Sequence, residues 1–126
     1  MFSKSLPTGR TSEIVVQVSE YKGKVGVDVR KHYHGEPTRK GAFLEISNGQ
    51  AGFVVEALPA VLQSGSVRIL EGESMNVVVR RYDYKGMEGY SIRKENPNGK
   101  WGKGIWVKAE QAPWVVETMQ EALATG

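Results

Sequence analysis

The chain contains the same unit twice. Tyr21-Lys22-Gly23 recurs as Tyr84-Lys85-Gly86 at an offset of 63. At that offset Val15-Val16 returns as Val78-Val79, Gly26 as Gly89, Arg30-Lys31 as Arg93-Lys94, Lys40-Gly41 as Lys103-Gly104, and Phe43 as Trp106. Further on the offset drops to 61: Gln50-Ala51 matches Gln111-Ala112, Phe53 matches Trp114, Val54-Val55-Glu56 matches Val115-Val116-Glu117, and Leu62 matches Leu123. The collinear order over a whole unit marks an internal duplication, with residues 1–63 and 64–126 as the two copies.

Each copy reads as strands followed by a helix. Ile14 to Ser19 and Val77 to Arg81 are rich in β-branched residues, as strands are. Gly23 and Gly86 mark turns where a positive φ is needed. From Lys24 to Tyr33 the pattern alternates, with Val25, Val27 and Val29 on one face and Lys24, Asp28, Arg30 and His32 on a solvated one. His34 to Thr38 reads as a loop, and Arg39 to Ile46 as the next strand. Ser47-Asn48-Gly49-Gln50 has capping-box spacing before a helical pattern that Pro59 should kink or end. Pro113 falls in the first turn of the second helix, where proline is tolerated. Phe2 to Leu6 and Val67 to Leu70 supply a leading strand for each copy. The expected fold is therefore α+β: two repeats of a curved antiparallel four-stranded sheet and one helix. A sixty-residue unit buries little core alone, so the repeats should pack as a pseudo-two-fold pair, helix to helix, within one chain or between two.

Bulk properties narrow the functional classes. Among 126 residues there are 17 Lys and Arg against 14 Asp and Glu, a mildly basic balance that leaves charge placement to carry any argument about polyanions. With no cysteine, disulfides and thiolate metal sites are excluded. No apolar run reaches the length of a membrane span, and the stretch from Met1 to Ser12 lacks a signal-peptide core. The expected location is the cytoplasm, or the nucleus in a eukaryote, without secretion or membrane attachment.

The stretch from Val16 to Tyr33, with Tyr21-Lys22-Gly23-Lys24, the β-branched run ending in Asp28-Val29-Arg30, and then Thr38-Arg39-Lys40-Gly41, resembles the C-terminal domain of the eukaryotic transcriptional coactivator positive cofactor four. The resemblance covers nearly all of the first copy and is looser in the second. It implies paired sheets forming channels for single-stranded DNA, with Tyr21, Lys22, Lys24, Arg30, Tyr33, Arg39 and Lys40 as binding residues. His32 stands where the family has an aromatic, and the following loop is shorter. The second copy has Met87 for Lys24, Asn96 for Tyr33 and Gly102 for Arg39. It keeps Lys85, Arg93 and Lys103, with Lys100 and Trp101 as local substitutes. On this count the first copy should carry most of the affinity.

The residue types suit that task, since cations follow phosphates and flat rings stack on bases. Phe53 and Trp114 read as core. Phe43 and Trp106, mid-strand, are weighed as packing before stacking. Asp28, His32 and His34 are too spread along a strand for a tetrahedral metal site, so no metal or other cofactor is expected. The glycines from Gly99 to Gly104 lack the Gly-Lys-Ser/Thr entry to a helix that a nucleotide loop needs. No arrangement of acid, base and nucleophile is visible, so the expected role is non-enzymatic: an accessory factor in DNA replication, recombination, repair or transcription. Its partners would be single-stranded DNA, replication or transcription proteins, and further copies of itself. RNA binding and a pure protein-interaction module are the alternatives.

Overall fold

A computed structural model describes residues 2–98 and 101–125, with Trp101 described by its backbone alone. Chain order is β1 (Ser3–Pro7), β2 (Ser12–Tyr21), β3 (Lys24–Tyr33), β4 (Glu36–Glu45), α1 (Gln50–Ser64), β5 (Arg68–Leu70), β6 (Asn76–Arg81), β7 (Gly89–Glu95), β8 (Trp101–Lys108) and α2 (Ala112–Thr125). Two antiparallel sheets result, ordered β1-β2-β3-β4 and β5-β6-β7-β8. The duplicated unit is thus a four-strand meander and a helix, and the two units pack against each other within one chain.

Turn chemistry sets the meander. Tyr21 pairs with Lys24 and Tyr33 with Glu36, so two-residue loops join β2 to β3 and β3 to β4. Both central residues of each loop have positive φ: Lys22 (51°) with Gly23 (78°), and His34 (53°) with Gly35 (77°). That is the type I′ geometry whose twist matches the flanking strands. Lys85 and Gly86 repeat it in the second copy. The loop expected at residues 34–38 is therefore a tight turn, and β4 starts three residues earlier than the sequence pattern suggests.

Side-chain alternation gives each sheet an inner face. Ile14, Val16 and Val18 on β2, Val27 and Val29 on β3, and Ala42 and Leu44 on β4 are buried. Val77 and Val79, Tyr90 and Ile92, and Ile105 and Val107 repeat the set in the second sheet. Val25 belongs to this face by period, yet it lies exposed beyond the edge of the core. One continuous core joins both inner faces to both helices. Fully burying one such aliphatic side chain contributes about 1.5–3 kcal/mol.

The helices cross over between copies. α1 follows the first sheet but packs on β6 as well as on β4 and β5, and α2 follows the second sheet but packs on β2 and β3. The helices also touch each other, and Lys4 on β1 pairs with Glu121 on α2 at 2.6 Å. Each copy's core is thus completed by the other copy's helix. The capping box expected at Ser47 is not formed. Gly49, at φ 84°, is the N-cap without a side-chain cap bond, and Asn48 Oδ1 instead accepts from the Gln50 amide at 3.1 Å. Pro59 lies inside α1 and does not end it, because packing against both sheets outweighs the lost hydrogen bond. Phe53 and Trp114 pack against the core, as the helical pattern requires.

Candidate functional site

The outer face of each sheet is not the solvated surface that alternation alone suggests. On the first sheet it carries Gly26, Asp28 and Arg30 from β3 and Gly41 and Phe43 from β4. On the second it carries Gly89, Ser91 and Arg93 from β7 and Gly104 and Trp106 from β8. Strand pairing sets Asp28 opposite Phe43 and Arg30 opposite Gly41, and likewise Ser91 opposite Trp106 and Arg93 opposite Gly104. A register irregularity follows Arg30 in the first sheet and Arg93 in the second. Such bulges re-aim side chains and sharpen local twist.

Small residues make room for large ones on this face. A Cβ on Gly26 would come 2.6 Å from the Phe43 ring, and one on Gly41 would come 2.7 Å from the Arg30 side chain. Gly89 and Gly104 stand in the same relation to Trp106 and Arg93. The ring of Phe43 meets Tyr21 at a centroid distance of 5.9 Å, and Trp106 meets Tyr84 at 5.8 Å. Trp106 also donates its Nε1–H to the Tyr82 carbonyl at 2.6 Å, which fixes the indole. Phe43 and Trp106 therefore wall a surface groove and are not core, a correction to the packing expected for mid-strand aromatics. The signal that could have found them is the repeated glycine, at 26 and at 89, beneath each ring.

Two grooves result, one on each sheet, and each adds cations from the other copy to an arginine of its own. The first, about 350 Å³, is lined by Tyr21, Arg30 and Phe43 together with Lys94 and Lys103. The second, about 430 Å³, is lined by Tyr82, Tyr84, Arg93 and Trp106 together with Lys31, Arg39 and Lys40. β4 and β8 lie side by side, which brings the sheets together at this seam. Successive residues of a strand point to opposite faces, so Arg30 enters one groove and Lys31 the other, as do Arg93 and Lys94. The crossing contacts interchange as a two-fold relation demands: Lys31 Nζ lies 5.6 Å from the Trp106 ring, and Lys94 Nζ lies 5.6 Å from the Phe43 ring.

Burial holds the Lys31 ammonium below its ordinary pKa, and repulsion from Lys40 and then Lys108 lowers it further. Burial also lowers Lys94, with Glu45 partly offsetting and Lys24 adding to the shift. Both lysines are thus held partly desolvated beside aromatic faces, where an anion would compensate them.

The residues expected to bind fall into distinct places. Tyr21, Arg30 and Lys103 line the first groove, and Arg39, Lys40 and Arg93 the second. Lys22 and Lys85 sit at the turn tips, each with its ammonium 5.3 Å from the ring of Tyr21 or Tyr84. Lys24 lines neither groove; it leans toward Glu45 at 3.9 Å, beside residues 70–75 of the connecting segment. Tyr33 lies exposed at the far turn against His34. Trp101 Cα pairs with Glu95 in β8, while its side chain and Lys100 lie outside the described residues. The sequence reading missed Lys31, Lys94, Phe43, Tyr82, Tyr84 and Trp106 as groove residues.

The Asp28 carboxylate accepts from Arg30 Nε and Nη2, both at 3.0 Å, while Arg30 Nη1 donates to the Thr38 carbonyl at 2.8 Å. It faces the arginine and not the histidines, and among the described residues no three His, Cys, Asp or Glu converge as a metal site. No described helix is long and apolar enough to cross a membrane. No protein-family model and no curated protein matches the chain, so its function has to be argued from these grooves.

Proposed function

We propose that this chain binds single-stranded DNA with little sequence specificity, as a non-enzymatic accessory factor in replication, recombination, repair or transcription. The observation that carries the reading is the composition of the two grooves. Each sets a Tyr–aromatic pair beside at least three cations on an open sheet face. Stacking on rings is tolerant of base identity, and cations tracking the backbone supply affinity independent of sequence. The paired four-strand-and-helix units agree with what the resemblance to the positive cofactor four domain implies. A binding role also fits the linings, in which cations, rings and small residues predominate and, of the two carboxylates of the first groove, Glu20 and Asp28, the latter is engaged by Arg30.

The test is a salt titration of one labelled 20-mer as single-stranded DNA, as duplex and as RNA. The single strand is expected to bind tighter than the duplex, which hides its base faces. With about five phosphate contacts, log K against log salt should slope near −3.5, from roughly −0.7 per contact on a single strand. Tighter duplex binding or a slope near zero would overturn the proposal, and a clear preference for RNA would reassign the ligand.

A further inference from the structure

The two grooves share a backbone plan but not a charge. The first gathers three cations, Arg30, Lys94 and Lys103, against two carboxylates, Glu20 and Asp28. Among the described residues the second gathers four cations, Lys31, Arg39, Lys40 and Arg93, and no carboxylate. The difference centres on one strand position. Asp28 clamps Arg30 with two hydrogen bonds at 3.0 Å, in a pair only 9% and 18% exposed on its two side chains. At the equivalent place in the second copy stands Ser91, buried and uncharged. Across the neighbouring strand, Gln17 faces Asp28 while Arg80 faces Ser91. Aromatic content runs the same way, because Tyr82 adds a third ring where the first copy has Ser19.

From this we infer that the grooves are unequal: the one walled by Tyr84 and Trp106 is the principal seat of the strand, and Asp28 keeps the other weak. The inference rests on the proposal that the ligand is single-stranded DNA. An anion entering the first groove meets an arginine whose donors are directed at Asp28 and Thr38 and whose charge Asp28 already balances. Phosphate must compete with a carboxylate held in place by bidentate geometry. In the second groove the same anion relieves the mutual repulsion of Lys31 and Lys40. The second copy has lost the counterparts of Lys24, Tyr33 and Arg39, but none of the three counts against its groove. Lys24 and Tyr33 line neither groove, and Arg39 itself serves the second.

Repeat symmetry supplies matched variants, since Lys31 and Lys40 correspond to Lys94 and Lys103. Binding of a dT oligonucleotide to the full chain should be compared for wild type, Lys31→Gln/Lys40→Gln, Lys94→Gln/Lys103→Gln and Asp28→Asn, each checked for an unchanged fold by circular dichroism. The Lys31/Lys40 pair is expected to lose about ten times more affinity than the Lys94/Lys103 pair. Asp28→Asn, which keeps the side-chain shape, is expected to gain roughly three- to tenfold and to steepen the salt slope by a fraction of one contact. A gain cannot arise from misfolding. Equal losses from the two lysine pairs, or Asp28→Asn without a gain, would overturn the inequality. Failure of the wild type to bind dT at all would instead overturn the functional proposal beneath it.

Discussion

The groove walled by Tyr21 and Phe43 and the groove walled by Tyr84 and Trp106 agree wherever backbone geometry is at stake. They differ wherever charge is. Both have a Lys-Gly type I′ turn, a register shift after the arginine, and a glycine beneath the aromatic ring. None of these tolerates much change, because a Cβ would meet the ring or the turn would lose its positive φ. By contrast, Asp28 against Ser91, Gln17 against Arg80 and Ser19 against Tyr82 are exchanges on an outer face that alter charge and rings without disturbing a strand. The duplicated scaffold thus holds two sites fixed in shape while leaving their chemistry free to diverge.

The sharpest way to break the comparison is to separate the copies. α1 and α2 each complete the other copy's core, so residues 1–65 alone leave the inner face of β2 and β3 without α2. As a monomer this fragment is expected to lack a cooperative melt by circular dichroism. Structure should return only as concentration rises and a second fragment takes the missing place. A folded monomer would show that the grooves are separable units after all.

A smaller effect follows from the glycine beneath each ring. Gly89→Ala forces a methyl group into the Trp106 indole, which its bond to the Tyr82 carbonyl holds in place. Overpacking of this kind costs about 1–3 kcal/mol, and the loss should appear as a lowered melting temperature with weaker strand binding. Gly26→Ala meets the Phe43 ring and also the Leu44 carbonyl oxygen at 2.7 Å, a backbone group that cannot swing aside, so it should cost a comparable amount. A Gly26→Ala protein that melts like the wild type would mean that the first sheet yields where the second is expected not to.

The smallest effect concerns the depressed lysines. Between its lowered pKa and 10.5 the folded protein holds less proton at Lys31 than the unfolded chain does, so stability should rise with pH across that window. Burial puts a standing penalty on the Lys31 ammonium in the folded protein. Lys31→Gln should therefore leave the fold as stable or slightly more stable, within about 1 kcal/mol, flatten the alkaline rise, and still weaken strand binding. Lys94→Gln should show the weaker version, because Glu45 already offsets part of the penalty. Denaturant melts from pH 7 to pH 10 read both. A large destabilisation by Lys31→Gln would contradict the assignment of this lysine to a ligand.

How much of this was legible in the sequence depends on the range of the interaction involved. The Tyr-Lys-Gly turns, the alternating valines and the helical stripes are local, and they placed the strands, the helices and the duplication. Gly35 and Pro37 mark residues 34–38 as a loop in the sequence pattern, yet His34-Gly35 is a two-residue turn and β4 carries Pro37 near its start. Pro59 points to a kink or an end of α1 by the same local logic, but local propensity yields to a helix packed against two sheets. The exchange of helices and the sharing of lysines across the seam left no local mark. They follow from the two-fold relation between copies, which assigns Lys31 and Lys40 to a groove whose rings, Tyr82, Tyr84 and Trp106, belong to the other copy. The setting of the mid-strand aromatics is not local either, because it is made by a glycine on the neighbouring strand.

The most direct test of the central claim is to map where a single strand lies. A dT oligonucleotide can be photo-crosslinked to the full chain at increasing ratio and the linked residues identified by mass spectrometry. Crosslinks are expected first at Tyr82, Tyr84 and Trp106, and at higher ratio at Tyr21 and Phe43. Crosslinks confined to the exposed faces of α1 and α2, or to the outer strands β1 and β5, would contradict the account.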